Sequence, residues 1–126
     1  MDYIKIMNKA THTDIECASD VHETHDHSTR PTRILADSAL LFQALGSTER
    51  LQLMERLLDQ AHCVTQLAHE LEEKVTTISQ RLQQLHRARL LTKERKGKHI
   101  YYAIADQHVR DLLTRTFDHI EKERLK

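Results

Sequence analysis

Glycine and proline are almost missing from this chain: Gly46, Gly97 and Pro31 are the only ones in 126 residues. Folds dominated by sheet reverse direction often and use both residues at their turns, so the scarcity argues against a sandwich or barrel and for helices. Tryptophan is absent and aromatics make up 4%, which leaves the core to aliphatic side chains. Cys17 and Cys63 are too few for a disulfide framework and are expected to be thiols in a cytoplasmic protein. No apolar run approaches the roughly 18 residues of a membrane span, and the N-terminus lacks the apolar core of a signal peptide, so a membrane partner is not expected. There is no pairing of nucleophile with base and no Gly-rich phosphate loop, so neither an enzyme nor a small organic substrate is expected.

What is present is unevenly spread. Net charge is zero, yet Arg81 to His99 holds seven Lys and Arg against one acid, Glu94. Met1 to Arg33 holds six acids, four basic residues and four of the ten histidines. A neutral average thus hides a basic patch suited to nucleic acid and an acidic, His-rich arm. Residues 1–33 keep no helical or strand period and read as a flexible arm; residues 34–126 read as the folded domain.

Within that domain the apolar period predicts a helix from Ile34 to Gly46, a second over Thr48–Asp59, a short third over Cys63–Leu71 and a fourth from Val75 to about Arg89. The period then falls from 3.6 to 2. Leu90–Arg95 and His99–Ile104 flank Lys96-Gly97-Lys98, a hairpin with a basic tip. Asp106 is placed to cap a last helix that runs past Glu121.

A short helix, a turn, a longer helix and a two-stranded basic wing describe a mainly α winged helix-turn-helix. The longer helix would enter the major groove of double-stranded DNA, offering Thr76, Thr77, Ser79, Gln80, Arg81 and Gln84 on its solvent face. Lys93, Arg95, Lys96, Lys98 and His99 of the wing suit the phosphates beside that groove. His62, His69 and His86 read as surface or helix-packing residues.

His108 and His119 carry a separate message. Eleven residues make just over three helical turns, so both rings point one way but stand roughly 16 Å apart. Metal ligands sit about 2 Å from the ion. If these histidines share an ion, the second must come from an antiparallel copy of the same helix, which implies a homodimer.

Residues 34–121 resemble the ArsR/SmtB family of metal-responsive repressors. The stretches that carry the resemblance are Leu41-Phe-Gln-Ala-Leu-Gly-Ser-Thr-Glu-Arg-Leu51, His62-Cys-Val-Thr-Gln-Leu-Ala68, Thr77-Ile-Ser-Gln-Arg-Leu-Gln-Gln-Leu85 and Gly97-Lys-His-Ile-Tyr-Tyr102. The resemblance implies a homodimer joined through its first and last helices, an apo form that occupies a palindromic operator, and release of DNA when metal binds. One departure is Gln80-Arg81, where the family carries a Ser-His pair, and it bears on the operator sequence.

In the family's last-helix site an Asp and a first His come from one chain, and a second His with a residue three further on comes from the other. Here these are Asp106, His108 and His119, but the last position is Lys122. We nominate Glu123, which falls on the seam side of His119, with water as the alternative. This N and O donor set suits Zn²⁺, with Co²⁺ or Ni²⁺ also compatible. A second site is expected at Cys63, where thiolate-using relatives carry a second local ligand that Cys63-Val-Thr-Gln66 lacks. Cys17 and His22 of the arm, with His25 and His27 nearby, would complete a site for Cd²⁺, Pb²⁺ or Zn²⁺.

The expected role is therefore a metal-sensing repressor of efflux or resistance genes. Two alternatives stand beside it: a repressor of the same fold that senses oxidants or sulfur species through its thiols, and a metal buffer or chaperone with no operator.

Overall fold

The computed structural model describes residues 29–125. Cys17, His22, His25 and His27 lie outside them. The elements are α1 (Thr32–Leu45), α2 (Thr48–Asp59), β1 (His62–Cys63), α3 (Val64–Leu71), α4 (Val75–Arg87), β2 (Leu91–Lys96), β3 (His99–Ile104) and α5 (Gln107–Arg124). The expected winged helix-turn-helix is present, as α3, a turn, α4 and the β2–β3 wing. None of the described helices is long and apolar enough to cross a membrane.

Helix α1 starts ahead of its apolar period. Pro31, with φ −55°, sits at the cap position, and its carbonyl accepts from Ile34 N at 2.9 Å. Proline suits this place because helix starts do not need its missing N–H. Ser47 caps α2 by accepting from Arg50 N at 3.3 Å. Helices α3 and α4 both end on non-glycine residues in the left-handed region, Glu72 at φ 54° and Arg89 at φ 65°. The turns are closed by Glu73 N to Ala68 O at 3.0 Å and Leu90 N to Leu85 O at 3.1 Å, the pattern that satisfies orphan carbonyls at a helix end.

Cys63 was expected inside the third helix, and this is corrected. Its backbone is extended, φ −84° and ψ 158°, and it is both the cap residue of α3 and half of β1. Strand β1 pairs antiparallel with β3, His62 opposite Tyr102 and Cys63 opposite Tyr101, so the sheet has three strands in the order β1-β3-β2. A strand of two residues shows no period of its own, which is why the hydrophobic pattern missed it. In the wing Leu91 faces Ile104 and Lys96 faces His99, with Gly97 at φ 62° in the turn, where a left-handed backbone favours glycine.

Leu53, Met54, Leu57, Leu67, Ile78, Leu82, Leu85, Leu90 and Leu113 are fully buried and make one core from α2, α3, α4 and α5. Arg110 of α5 donates to Leu58 O at 2.7 Å, which ties the last helix to the end of α2. Helix α1 buries none of its residues; it leaves Ile34, Leu35, Leu40 and Phe42 exposed, and Ile120 is exposed on α5.

Candidate nucleic-acid interface and metal centre

The buried Ile78, Leu82 and Leu85 seat α4 on the core. This turns Thr77, Gln80, Arg81 and Gln84 outward together, since 3.6 residues per turn bring positions three and four apart onto one face. These four line a shallow depression of about 600 Å³ with Arg50 and Arg87. Thr76, Gln80 and Gln84 are exposed, while Thr77, Ser79 and Arg81 are half-buried.

Three of these groups already have protein partners: Ser79 Oγ accepts from Gln83 Nε2 at 3.2 Å. Arg81 lies 3.5 Å from the Glu73 carboxylate in the turn before α4. Gln84 accepts through Oε1 from Arg50 Nη1 at 3.1 Å. Arg50 also donates to Ala44 O at 2.5 Å and Gln43 O at 3.2 Å, at the end of α1. Sequence reading passed over Arg50, because nothing in its spacing separates it from an ordinary surface arginine on α2.

The wing residues Lys93, Arg95, Lys96 and Lys98 are all exposed. Arg95 donates to Gly97 O at 3.3 Å, and Lys96 Nζ stands 5.4 Å from the centre of the Tyr101 ring. Both contacts hold cations near the tip without neutralising them.

At the start of α5, Asp106 has an extended backbone, φ −162°, and its Oδ1 accepts from Val109 N at 3.0 Å. The same oxygen lies 3.8 Å from His108 Nδ1. Two ligands about 2 Å from a tetrahedral ion stand roughly 3.3 Å apart, so this carboxylate–imidazole pair fits half of a zinc site with a small adjustment. The His108 side chain is 96% exposed and that of Asp106 56%, leaving both open to an ion and to a partner helix. His119 and Glu123 are exposed further along α5. Among the described residues no three His, Cys, Asp or Glu side chains gather to hold an ion within one chain.

Cys63 is 8% exposed and accompanied by Thr65 Oγ1 at 3.2 Å. The Thr65 hydroxyl, followed by the amides at the start of α3, lowers the thiol pKa against the opposing effect of burial. A cavity of about 220 Å³ beside it is lined by Cys63, Thr65, Ser79, Lys98 and His99, so the thiol lies between the α4 N-terminus and the wing. His62 is 6% exposed, its Nδ1 2.8 Å from Gln60 O. It is a packing residue. His86 meets the Tyr102 ring edge-on at 6.3 Å.

Comparison with known proteins agrees with this geometry. A family model described as bacterial regulatory protein, arsR family, matches residues 47–93. The Transcriptional repressor SmtB homolog of Synechocystis sp. is 36% identical over 84 residues, which are 67% of this chain and 64% of that protein. The Cadmium resistance transcriptional regulatory protein CadC homolog of Staphylococcus aureus is 31% identical over 84 residues, 66% of this chain and 69% of its own length. Among solved structures, the homodimeric winged helix-turn-helix DNA-binding domain of a possible ArsR-family transcriptional regulator from Mycobacterium bovis superimposes with a TM-score of 0.69 at 26% identity. It covers 84% of this chain and 94% of that one.

Proposed function

We propose a function for this chain from one premise: it belongs to the arsR family of bacterial regulatory proteins, which are not enzymes. It acts as a homodimeric transcriptional repressor whose apo form holds a palindromic double-stranded operator and whose metal-bound form releases it. The observation that carries this reading is the capping carboxylate of Asp106 standing beside an exposed His108, 3.8 Å away. The exposed Ile34, Leu35, Leu40 and Phe42 of α1 and Ile120 of α5 support the dimer, because apolar side chains gathered in water mark an interaction surface.

In this reading Asp106 and His108 of one chain act with the partner subunit's His119 and the partner subunit's Glu123. A zinc ion held by these four donors would cross-link two antiparallel last helices. The chain's own part is to hold the first two donors ready: the cap bond to Val109 N fixes the Asp106 side chain without drawing on its second oxygen. Arg110, two residues past His108 and bonded to Leu58 O, ties the site to the end of α2, the helix that packs against α4. A coupling of a few kcal/mol is enough to lower operator occupancy by orders of magnitude. The genes controlled would be those of metal efflux or resistance. A second site for Cd²⁺ or Pb²⁺ would use Cys63 with Cys17 and His22.

The test is operator binding with and without Zn²⁺ for the intact chain, His119→Ala and Cys63→Ala. The proposal expects metal release in the intact chain and its loss in His119→Ala. Release kept in His119→Ala and lost in Cys63→Ala would move regulation to the thiol site. DNA affinity without sequence preference would leave only a metal buffer or chaperone.

One observation favours a second reading. The lowered pKa of Cys63 gives it more thiolate character than an ordinary cysteine, as a sensor of oxidants or sulfur species needs. Release of operator by peroxide that survives His108→Ala and His119→Ala together would favour it.

A further inference from the structure

Arg50 joins two elements with different duties in the proposed repressor. Its Nε and Nη2 donate to Ala44 O and Gln43 O, carbonyls of the last turn of α1. Carbonyls of a last turn run short of donors: Gln43 O has Gly46 N at 3.1 Å, and Arg50 adds a donor to it and to Ala44 O. With two of its nitrogens committed, the planar guanidinium is fixed, and its remaining Nη1 meets Gln84 Oε1 at 3.1 Å on the outward face of α4. The assignment of oxygen is forced by chemistry, since a guanidinium has donors only and cannot face an amide nitrogen.

A free glutamine on a reading helix pairs with adenine in two bonds, its oxygen accepting from N6 and its nitrogen donating to N7. Gln84 is not free in this sense. One lone pair of its oxygen is taken by a cationic donor; the other stays open, but the bond sets the direction in which the amide faces. What Gln84 offers outward is its –NH₂ group, exposed on the same face as Gln80.

We infer that Arg50 is a positioning residue for DNA reading: by holding the Gln84 carbonyl it fixes how the amide is turned, so that its –NH₂ group is aimed at acceptors of the operator. The acceptor is a purine N7, guanine O6, thymine O4, or a phosphate oxygen. The inference rests on the operator-binding role proposed above and deepens it. The same bond ties the end of α1 to α4, so a movement of the exposed first helix is felt at the reading side chain.

The experiment selects binding sequences from a random duplex pool with the full chain, then with Gln84→Ala, Gln84→Glu, Arg50→Ala and the double Arg50→Ala/Gln84→Ala variant, with helicity and melting checked for each. If a base edge is the target, Gln84→Ala relaxes one symmetric operator position. Arg50→Ala then relaxes that same position as well, because the freed amide can turn. If a phosphate is the target, Gln84→Ala weakens all sequences alike and Arg50→Ala has no further effect once Gln84 is gone. Gln84→Glu keeps a partner for Arg50 but has no N–H, so it must weaken binding at least as much as Gln84→Ala. The inference is overturned if Gln84→Glu and Gln84→Ala bind like the parent chain. It is equally overturned if Arg50→Ala acts undiminished in the Gln84→Ala background. An intact chain that selects no sequence at all overturns the operator role itself, and the inference falls with it.

Discussion

Asp106 and His108 meet at the mouth of α5 because one carboxylate oxygen serves two neighbours, accepting from Val109 N at 3.0 Å and lying 3.8 Å from the His108 ring. Two residues apart on a continuous helix they would face away from each other. The extended backbone of the cap residue swings the carboxylate round.

This dual use can be separated by substitution. Asp106→Asn keeps an acceptor and so keeps the cap, but gives up the charge that a cation needs. Its melting temperature should match the parent while zinc affinity drops at least tenfold. Asp106→Ala should lose both, with a stability cost of about 1 kcal/mol. Thermal melts and competition with a zinc-binding dye measure the two effects; equal zinc affinity in parent and Asp106→Asn would remove Asp106 from the site.

The pKa of Cys63 gives a prediction with a definite sign. The Thr65 hydroxyl stabilises the thiolate, which lowers the pKa and raises the thiolate fraction at any pH below it. Thr65→Val removes that bond and leaves burial unopposed by it, so the alkylation of Cys63 by a small reagent should shift to higher pH. A rate–pH profile unchanged by Thr65→Val would show that the hydroxyl has no hold on the sulfur.

Phe42 is 60% exposed on α1, a helix that packs on the core only through the half-buried Leu41, Ala44 and Leu45. Phe42→Lys should therefore leave the subunit folded and dissociate the dimer, seen as a halved mass in sedimentation. Leu82→Ala, at a fully buried position of α4, should instead cost about 2–5 kcal/mol of folding stability. A Phe42→Lys chain that remains dimeric would place the subunit contact elsewhere.

Glu72 holds φ 54° at the end of α3, a conformation a side chain resists and glycine accepts. Glu72→Gly should be neutral or stabilising by up to about 1 kcal/mol, whereas Glu55→Gly, inside α2, should cost about that much. Denaturant titration distinguishes them, and equal losses would contradict the left-handed turn.

Much of the fold was legible because its signals are local. Ile78, Leu82 and Leu85 recur at helical spacing, and Gly97 sits between two runs of period 2, so α4 and the wing could be read directly. Asp106 announced a helix start through chemistry that depends only on the adjoining turn, whereas Pro31, read as part of the arm, sits at the cap of α1. Strand β1 escaped, since its pairing with Tyr101 and Tyr102 joins residues almost forty positions apart. The third helix ends at Leu71 as read, while α4 ends at Arg87, two residues short of the expected Arg89, whose left-handed turn has no glycine to mark it.

The candidate site divides along the same line. Residue types and their order along the chain were enough to mark the outward face of α4, the basic wing and the histidine pair of α5. Which of those side chains are committed elsewhere was settled by folding alone. Arg81 turns to Glu73, and Gln84 is held by Arg50 across thirty-four positions of sequence. Periodicity reports the direction a side chain takes from its own helix; its partners on other helices follow from how those helices pack, and no local pattern encodes that distance.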